Sequence, residues 1–315
     1  NSMENEQDSA IQPENGYSEQ AAREAYYGGR TEVFRQSAPP EQAPEGGYYH
    51  FDVNSLYPTI YTTERMPVGR PTQINDPDLS VLDNDEYGGV VYINGTVPES
   101  VKYPVLPVTA EFGNSEKVIF PTGEIEGWYM VSEVRYAREI DHLTDITVEE
   151  AVLSKYGRPF QNYGNKLYER KKSIDKHENP GEYKAVKFLL NSFYGKFAMD
   201  RDTEQIVKYP DFKTAMDEMK ENESVRNIDS ETGDKLMGKG ILKEKNTAES
   251  DYIIPRIAAD ITAKARIHMH KWIQTARDKG GRVWYCDTDS IVTDVPLETG
   301  VDLGEMDLEG RIEEA

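Results

Sequence analysis

Residues 282–294 read RVWYCDTDSIVTD, and no other stretch of the chain constrains its folding as tightly. Val283, Trp284 and Tyr285 lead in, and Ile291, Val292 and Thr293 lead out, so β-forming residues flank a short polar centre. The expectation is a β-hairpin with its acids at the turn. Asp287 and Asp289 then sit close together, where each raises the cost of ionising the other. A divalent cation shared by both carboxylates removes that penalty, provided other parts of the chain supply further ligands.

The chain has 315 residues, enough for one large or two ordinary domains. With 37% hydrophobic and 30% charged residues, a modest core with long solvated insertions is expected. Cys286 is the single cysteine, which excludes an internal disulfide and a multi-cysteine zinc site and suits a reducing, cytoplasmic setting. No stretch nears the roughly 18 apolar residues of a membrane span and no signal-peptide pattern opens the chain, so no membrane partner is expected. The formal net charge of −21, taken as an average, speaks against a nucleic-acid partner. The average hides a basic segment: from Lys166 to Lys196 there are eight Lys or Arg against four acids. Residues 1–47 hold nine acids and three arginines, so the acid lies largely elsewhere.

Residues 1–47 are rich in Glu, Gln, Ser, Pro and Gly with almost no apolar period, and a disordered leader is expected, at least over 1–24. Within AYYGGRTEVF, residues 25–34, the paired glycines allow a tight turn or a close backbone approach. A strand is expected from Tyr48 to Val53, ended by a turn and Pro58. Residues 67–150 alternate short strand-like runs with turns, then one helix near 132–140. Helices are expected over 165–177 and 181–199, separated by HENPGE. Residues 200–252 are charge-dense and read as a flexible excursion. A long helix follows, with Pro255 in its first turn and Gly280 at its end. The fold class is α+β, with an antiparallel or mixed sheet.

In EYKAVKFLLNSFYGKFA, Val186, Leu189, Leu190, Phe193 and Phe197 make an apolar stripe. Lys184, Lys187, Asn191 and Tyr194, at offsets 0, 3, 7 and 10, share another face suited to gripping a phosphate and stacking a base or sugar. Lys166, Arg170 and Lys171 share a face of the preceding helix. For each face alone, simple solvation is the commoner explanation. Asp52 ends a buried-type strand, where a charge needs a partner or a metal. Taken singly, it too is weak, since many strands end in Asp.

The ordered combination is specific. DVNSLYP (52–58), KFLLNSFYG (187–195) and YCDTDS (285–290) resemble the first palm motif, the fingers motif and the second palm motif of the family B DNA polymerases. YYGG at 26–29 and TAKAR at 262–266 resemble two elements of the protein-primed phage branch. That resemblance implies a polymerase palm with an antiparallel sheet and packed helices, and two-helix fingers over 151–199. The palm would begin over 25–69 and resume over 253–315. An insertion at 70–150 would touch a terminal priming protein. A second insertion, 200–252, would encircle the template for strand displacement and processivity.

The resemblance also implies roles. Asp52, Asp287 and Asp289, with the carbonyl of Val53, would hold two Mg²⁺ ions, Mn²⁺ substituting, for in-line transfer of a dNTP to a primer 3′-hydroxyl. Lys171 and Lys187 would contact the triphosphate, and Asn191 and Tyr194 would pack on the nascent base pair. Tyr57 would stack under the deoxyribose and exclude a 2′-hydroxyl. Tyr26, Gly28, Gly29, Ser192, Gly195, Thr262 and Arg266 would meet the DNA primer-template, the last two through backbone phosphates. The location implied is the cytoplasm of a host cell.

The chain departs from that family pattern in two respects. No Asp-x-Glu exonuclease motif precedes the polymerase motifs, and neither a Lys-x-Tyr motif nor a thumb follows Ser290. A fragment of a longer polymerase is therefore expected. Two other classes stay open on the residues: a palm-and-fingers body that binds nucleotide or protein without turnover, and a nucleotide-sugar glycosyltransferase. The latter explains Asp-Thr-Asp but not the Lys-x-x-x-Asn-Ser-x-Tyr-Gly helix.

Overall fold

The computed structural model describes residues 11–37, 40–113, 115–200, 202–208, 213–214, 217, 225–227, 241–247 and 252–312. In chain order, α1 (Gly16–Glu24) precedes β1 (Thr31–Val33), β2 (Tyr48–Val53), α2 (Leu56–Thr63), β3 (Met66–Pro67) and β4 (Thr72–Asn75). Next come β5 (Tyr87–Val97), β6 (Val108–Phe112), β7 (Ser115–Ile119), β8 (Gly123–Met130), α3 (Val131–Glu139) and β9 (Thr144–Gly157). Then follow α4 (Gln161–Ser173), α5 (Pro180–Ser192), β10 (Asp202–Lys208), β11 (Val225–Asn227) and β12 (Ile241–Thr247). The last elements are α6 (Pro255–Asp278), β13 (Val283–Asp287), β14 (Ser290–Thr293) and β15 (Met306–Ile312).

Two compact units emerge, one of residues 1–198 with 254–315, the other of 199–253. The first holds an antiparallel sheet ordered β1-β13-β14-β2-β15, and a second sheet ordered β3-β9-β5-β8 with β4 also paired to β9. Helix α6 belongs to the cores of both. Ile257, Ile261, Met269 and Ile273 pack with Phe51, Val53, Cys286 and Ile291 of the first sheet. Ala259 and Ala263 pack with Val90, Trp128 and Met130 of the second. A helix buried on two sides needs small residues where backbones approach, and its alanines supply them. Pro255 opens the helix, where no N–H is required, and Gly280 follows its end at φ +78°.

Part of the expected leader is ordered. Residues 16–24 form α1, capped by reciprocal hydrogen bonds between Asn15 and Ser18. Ala21 and Ala25 pack in the cluster of Ala259 and Ala263, and Glu14 pairs with Arg256 at 2.8 Å with both side chains buried. Residues 1–10 lie outside the described residues.

The second unit falls mostly outside the described residues, and the flexible excursion expected over 200–252 lies there with it. Its described strands pair antiparallel in the order β10-β12-β11, with Asp202 opposite Thr247 and Lys208 opposite Ile241.

Candidate active site

Strands β13 and β14 form the expected hairpin, with Asp287 opposite Ser290 and Thr288 and Asp289 at the turn. Thr288 takes φ +53°, a conformation uncommon for a β-branched residue. The Asp289 amide donates to the Asp287 carbonyl at 2.6 Å. Strand β2 lies beside β14 with Asp52 opposite Ser290, and the Val53 amide donates to the Asp289 carbonyl at 2.7 Å. Register and turn together bring Asp52 and Asp289 within electrostatic reach.

The charges register that approach. Burial first, then Asp289 and Glu309, raise the half-buried Asp52 carboxyl to about 7 against the opposing Lys187. Asp289 is likewise raised, by burial first, with Asp287 and Glu309 adding to it and its own backbone amide and Lys187 opposing. A cluster of hard oxygen donors short of counter-charge fits a divalent cation such as Mg²⁺. Asp52 and Asp289 are the side chains that could hold one. Asp287 stands in the same ladder row, two strands from Asp52, and its carboxylate accepts from the hydroxyls of Thr31 (2.9 Å), Tyr285 (3.3 Å) and Thr288 (3.3 Å). Among the described residues, no three His, Cys, Asp or Glu side chains are gathered closely enough to enclose an ion. Asp289 thus acts on the Asp52 carboxyl, while Asp287 is tethered by hydroxyls on β13 and its neighbours.

Lysines of α4 and α5 lie near this region. Lys171 on α4 reaches Ser55 Oγ at 3.0 Å, just past the end of β2. Burial and the neighbouring Lys187 hold its ammonium below the usual lysine range. Lys187, exposed on α5, is felt by both Asp52 and Asp289. The rings of Tyr57 and Tyr194 lie 4.2 Å apart, and burial together with Tyr194 and Tyr26 raises the Tyr57 phenol. Asn191 and Gly195 are exposed and Ser192 half-buried, around the end of α5. Of the residues marked by these motifs, Lys187 acts on both carboxylates and on Lys171, while Tyr57 and Tyr194 contact each other.

Two expected DNA contacts do not fit their positions. Thr262 is 1% exposed and its hydroxyl donates to the Ala259 carbonyl, so it offers nothing to a phosphate. Arg266 is 3% exposed; its guanidinium pairs with Glu133 at 2.8 Å and donates to the carbonyls of Tyr27 and Gly28, each at 2.6 Å. Its work is to fasten the Tyr-Tyr-Gly-Gly segment to α3 and α6. Gly29 realises the close-approach option, since a Cβ there would stand 2.8 Å from Thr288.

Sequence reasoning missed Asp307 and Glu309. Asp307 lies opposite Asp52 on β15, and both acids act on the Asp52 carboxyl. Their Asp-x-Glu spacing in MDLEGRI was the available signal, because residues two apart on a strand share a face.

The sequence pattern of DNA polymerase type B, organellar and viral, matches residues 3–279. A probable DNA polymerase of Ascobolus immersus is 28% identical over 283 residues, which covers 88% of this chain and 21% of the relative. One from Podospora anserina is 28% identical over 317 residues, covering 92% of this chain and 25% of the relative. Phi29 DNA polymerase, complexed with primer-template DNA and incoming nucleotide, superimposes with a TM-score of 0.69 at 20% identity. That alignment covers 96% of this chain and 50% of the phi29 chain. The chain thus spans about a quarter of the length of these curated relatives and half that of the phi29 enzyme. With the family pattern running through more than half its length, the chain belongs to the organellar and viral type B DNA polymerases.

Proposed function

We propose that this chain carries the nucleotidyl-transfer centre of a DNA-directed DNA polymerase that adds dNTPs to a primer 3′-hydroxyl on a template. The observation that carries the reading is the approach of Asp289, at the turn before β14, to Asp52 on the paired strand β2, with Lys187 acting on both. Bound divalent cations, Mg²⁺ or Mn²⁺, would supply charge neutralisation at the reacting phosphate and a lowered pKa for the attacking hydroxyl. Asp52 and Asp289, with the Val53 carbonyl, would hold those ions, and Asp287 would complete the set. The two lysines face the anionic part of an incoming nucleotide and can bind its phosphates as point charges. Tyr57 and Tyr194 form an aromatic floor on which its sugar and base would rest.

Residues 70–150 would be the surface for a terminal priming protein, and 200–252 the strand-displacement element. The resemblance to protein-primed polymerases supports both, as does the fold shared with the phi29 enzyme.

Primer extension by the whole protein with Mg²⁺ on a primed template tests the central reading. Asp52→Asn and Asp289→Asn should each abolish dNTP incorporation. Undiminished incorporation by either variant overturns it.

A further inference from the structure

Asp287 differs from the other two acids in what holds it. Tyr285 and Thr288, two of its hydroxyl donors, belong to the same hairpin and move with it. The third and shortest bond, 2.9 Å, comes from Thr31, which is 256 positions away in the chain and directly opposite Asp287 on β1.

The strand that presents Thr31 is fixed at both ends. Before it, the Arg30 carbonyl accepts the Thr288 amide at 2.8 Å, and the buried Arg30 guanidinium donates to the Pro104 carbonyl at 2.7 Å. After it, the Phe34 amide donates to the Trp284 carbonyl at 2.9 Å. Gly29, one residue further back, lies against Thr288 too closely to admit a Cβ. The Thr31 hydroxyl therefore has little freedom, and the carboxylate it grips inherits that restraint. An aspartate's terminal torsion is otherwise broad and nearly two-fold. Ions are held well only by ligands whose orientation is set by such outer partners.

We propose that Thr31 is a positioning residue of the active centre: its hydroxyl fixes Asp287 Oδ1, so that the carboxylate is presented to a divalent cation shared with Asp52 and Asp289. This rests on the carboxylate-site reading above. Strand pairing alone is the competing explanation, because threonine is also a good β-former. The two separate cleanly by substitution. Thr31→Val keeps the branched shape and loses the hydroxyl, whereas Thr31→Ser keeps the hydroxyl and loses the branch.

Mn²⁺ titrated into the chain and followed by the electron paramagnetic resonance of the free ion reads the site without turnover. Thr31→Val should weaken Mn²⁺ binding roughly tenfold, the lower range for loss of an outer-shell partner, while Thr31→Ser stays near wild type. Thermal midpoints of both variants should remain close to wild type, since Thr31 is exposed on an edge strand. Wild-type Mn²⁺ affinity in Thr31→Val, or a loss in Thr31→Ser equal to that in Thr31→Val, overturns the positioning role alone. A wild-type Mn²⁺ signal that Asp52→Asn and Asp289→Asn leave intact overturns the carboxylate-site reading, and the positioning role with it.

Discussion

Arg266 on α6 donates from Nε to the Glu133 carboxylate on α3 at 2.8 Å, and both side chains are buried. One guanidinium thus joins the helix shared by both sheets, the helix that follows β8, and the Tyr-Tyr-Gly-Gly segment leading to β1. Burial raises the Glu133 carboxyl and Arg266 opposes it, so removing the arginine leaves an acid with no counter-charge. Arg266→Leu should cost about 3–5 kcal/mol in urea unfolding, and Glu133→Gln should also destabilise. The double variant Arg266→Leu, Glu133→Leu should recover part of the loss. An exposed phosphate-binding arginine would change stability by roughly 0.5 kcal/mol or less. A near-neutral Arg266→Leu would restore the DNA-contact role that the sequence pattern suggested.

The Asp52 carboxyl, pushed up to about 7 from 3.8, gives the ion-free protein a definite pH dependence. A carboxyl raised in the folded state favours its protonated form there. Its contribution to folding is complete below about 4 and is lost as the pH rises through about 7. Measured in EDTA, the wild-type thermal midpoint should fall relative to Asp52→Asn between about pH 5 and 7.5, because the amide cannot ionise. His270, buried and pushed down to about 3, destabilises both proteins alike in acid, so the difference reports Asp52 together with the neighbouring Asp289 whose charge acts on it. Added Mn²⁺ should reverse the trend by binding the ionised form. A difference that stays flat across this range contradicts the crowding of charge around Asp52.

These residues also show where sequence was informative. Helix α6 and the β13–β14 hairpin were readable because long apolar periods and β-forming flanks are local signals. Helix α1 was not, since it buries Ala21 and Ala25 against Ala259 and Ala263 and needs no large apolar residue to do so. The pairing of Asp52 with Asp289 was readable from the order of motifs. Which partner strands Asp307, Glu309 and Thr31 meet depends on register across distant parts of the chain, which the local sequence does not encode even where, as in Asp-x-Glu, its spacing marks a shared face. Arg266 was assigned to DNA through the resemblance of TAKAR to a family element, and the motif alone does not show that its arginine faces the buried Glu133.

Tyr57 is half-buried and packs against Tyr194 with ring centres 4.2 Å apart. A half-buried ring packed against Tyr194 has little room to retreat from an added 2′-hydroxyl. Tyr57→Val should therefore raise ribonucleotide incorporation relative to dNTP by roughly tenfold to a hundredfold in single-nucleotide competition, the range for one steric contact. Tyr57→Phe, which keeps the ring, should retain the discrimination. Equal selectivity in Tyr57→Val and wild type refutes the gate.

Gly29 and Thr288 give the sharpest test of how the hairpin turn is held. A Cβ on Gly29 would stand 2.8 Å from both Cγ2 and Oγ1 of Thr288 and 3.1 Å from its Cβ. Thr288 cannot swing away cheaply, because its backbone already sits at φ +53° and its amide is bound to the Arg30 carbonyl. Gly29→Ala should therefore shift the turn that carries Asp287 and Asp289, and displacement of reacting groups by under an ångström can cost up to about a hundredfold in rate. Thr288→Gly removes the clashing side chain and accepts a positive φ without strain. The double variant should regain most of the incorporation lost by Gly29→Ala alone, a non-additivity expected of residues that touch. If the double variant is as impaired as Gly29→Ala, contact with Thr288 is not how Gly29 supports the active centre.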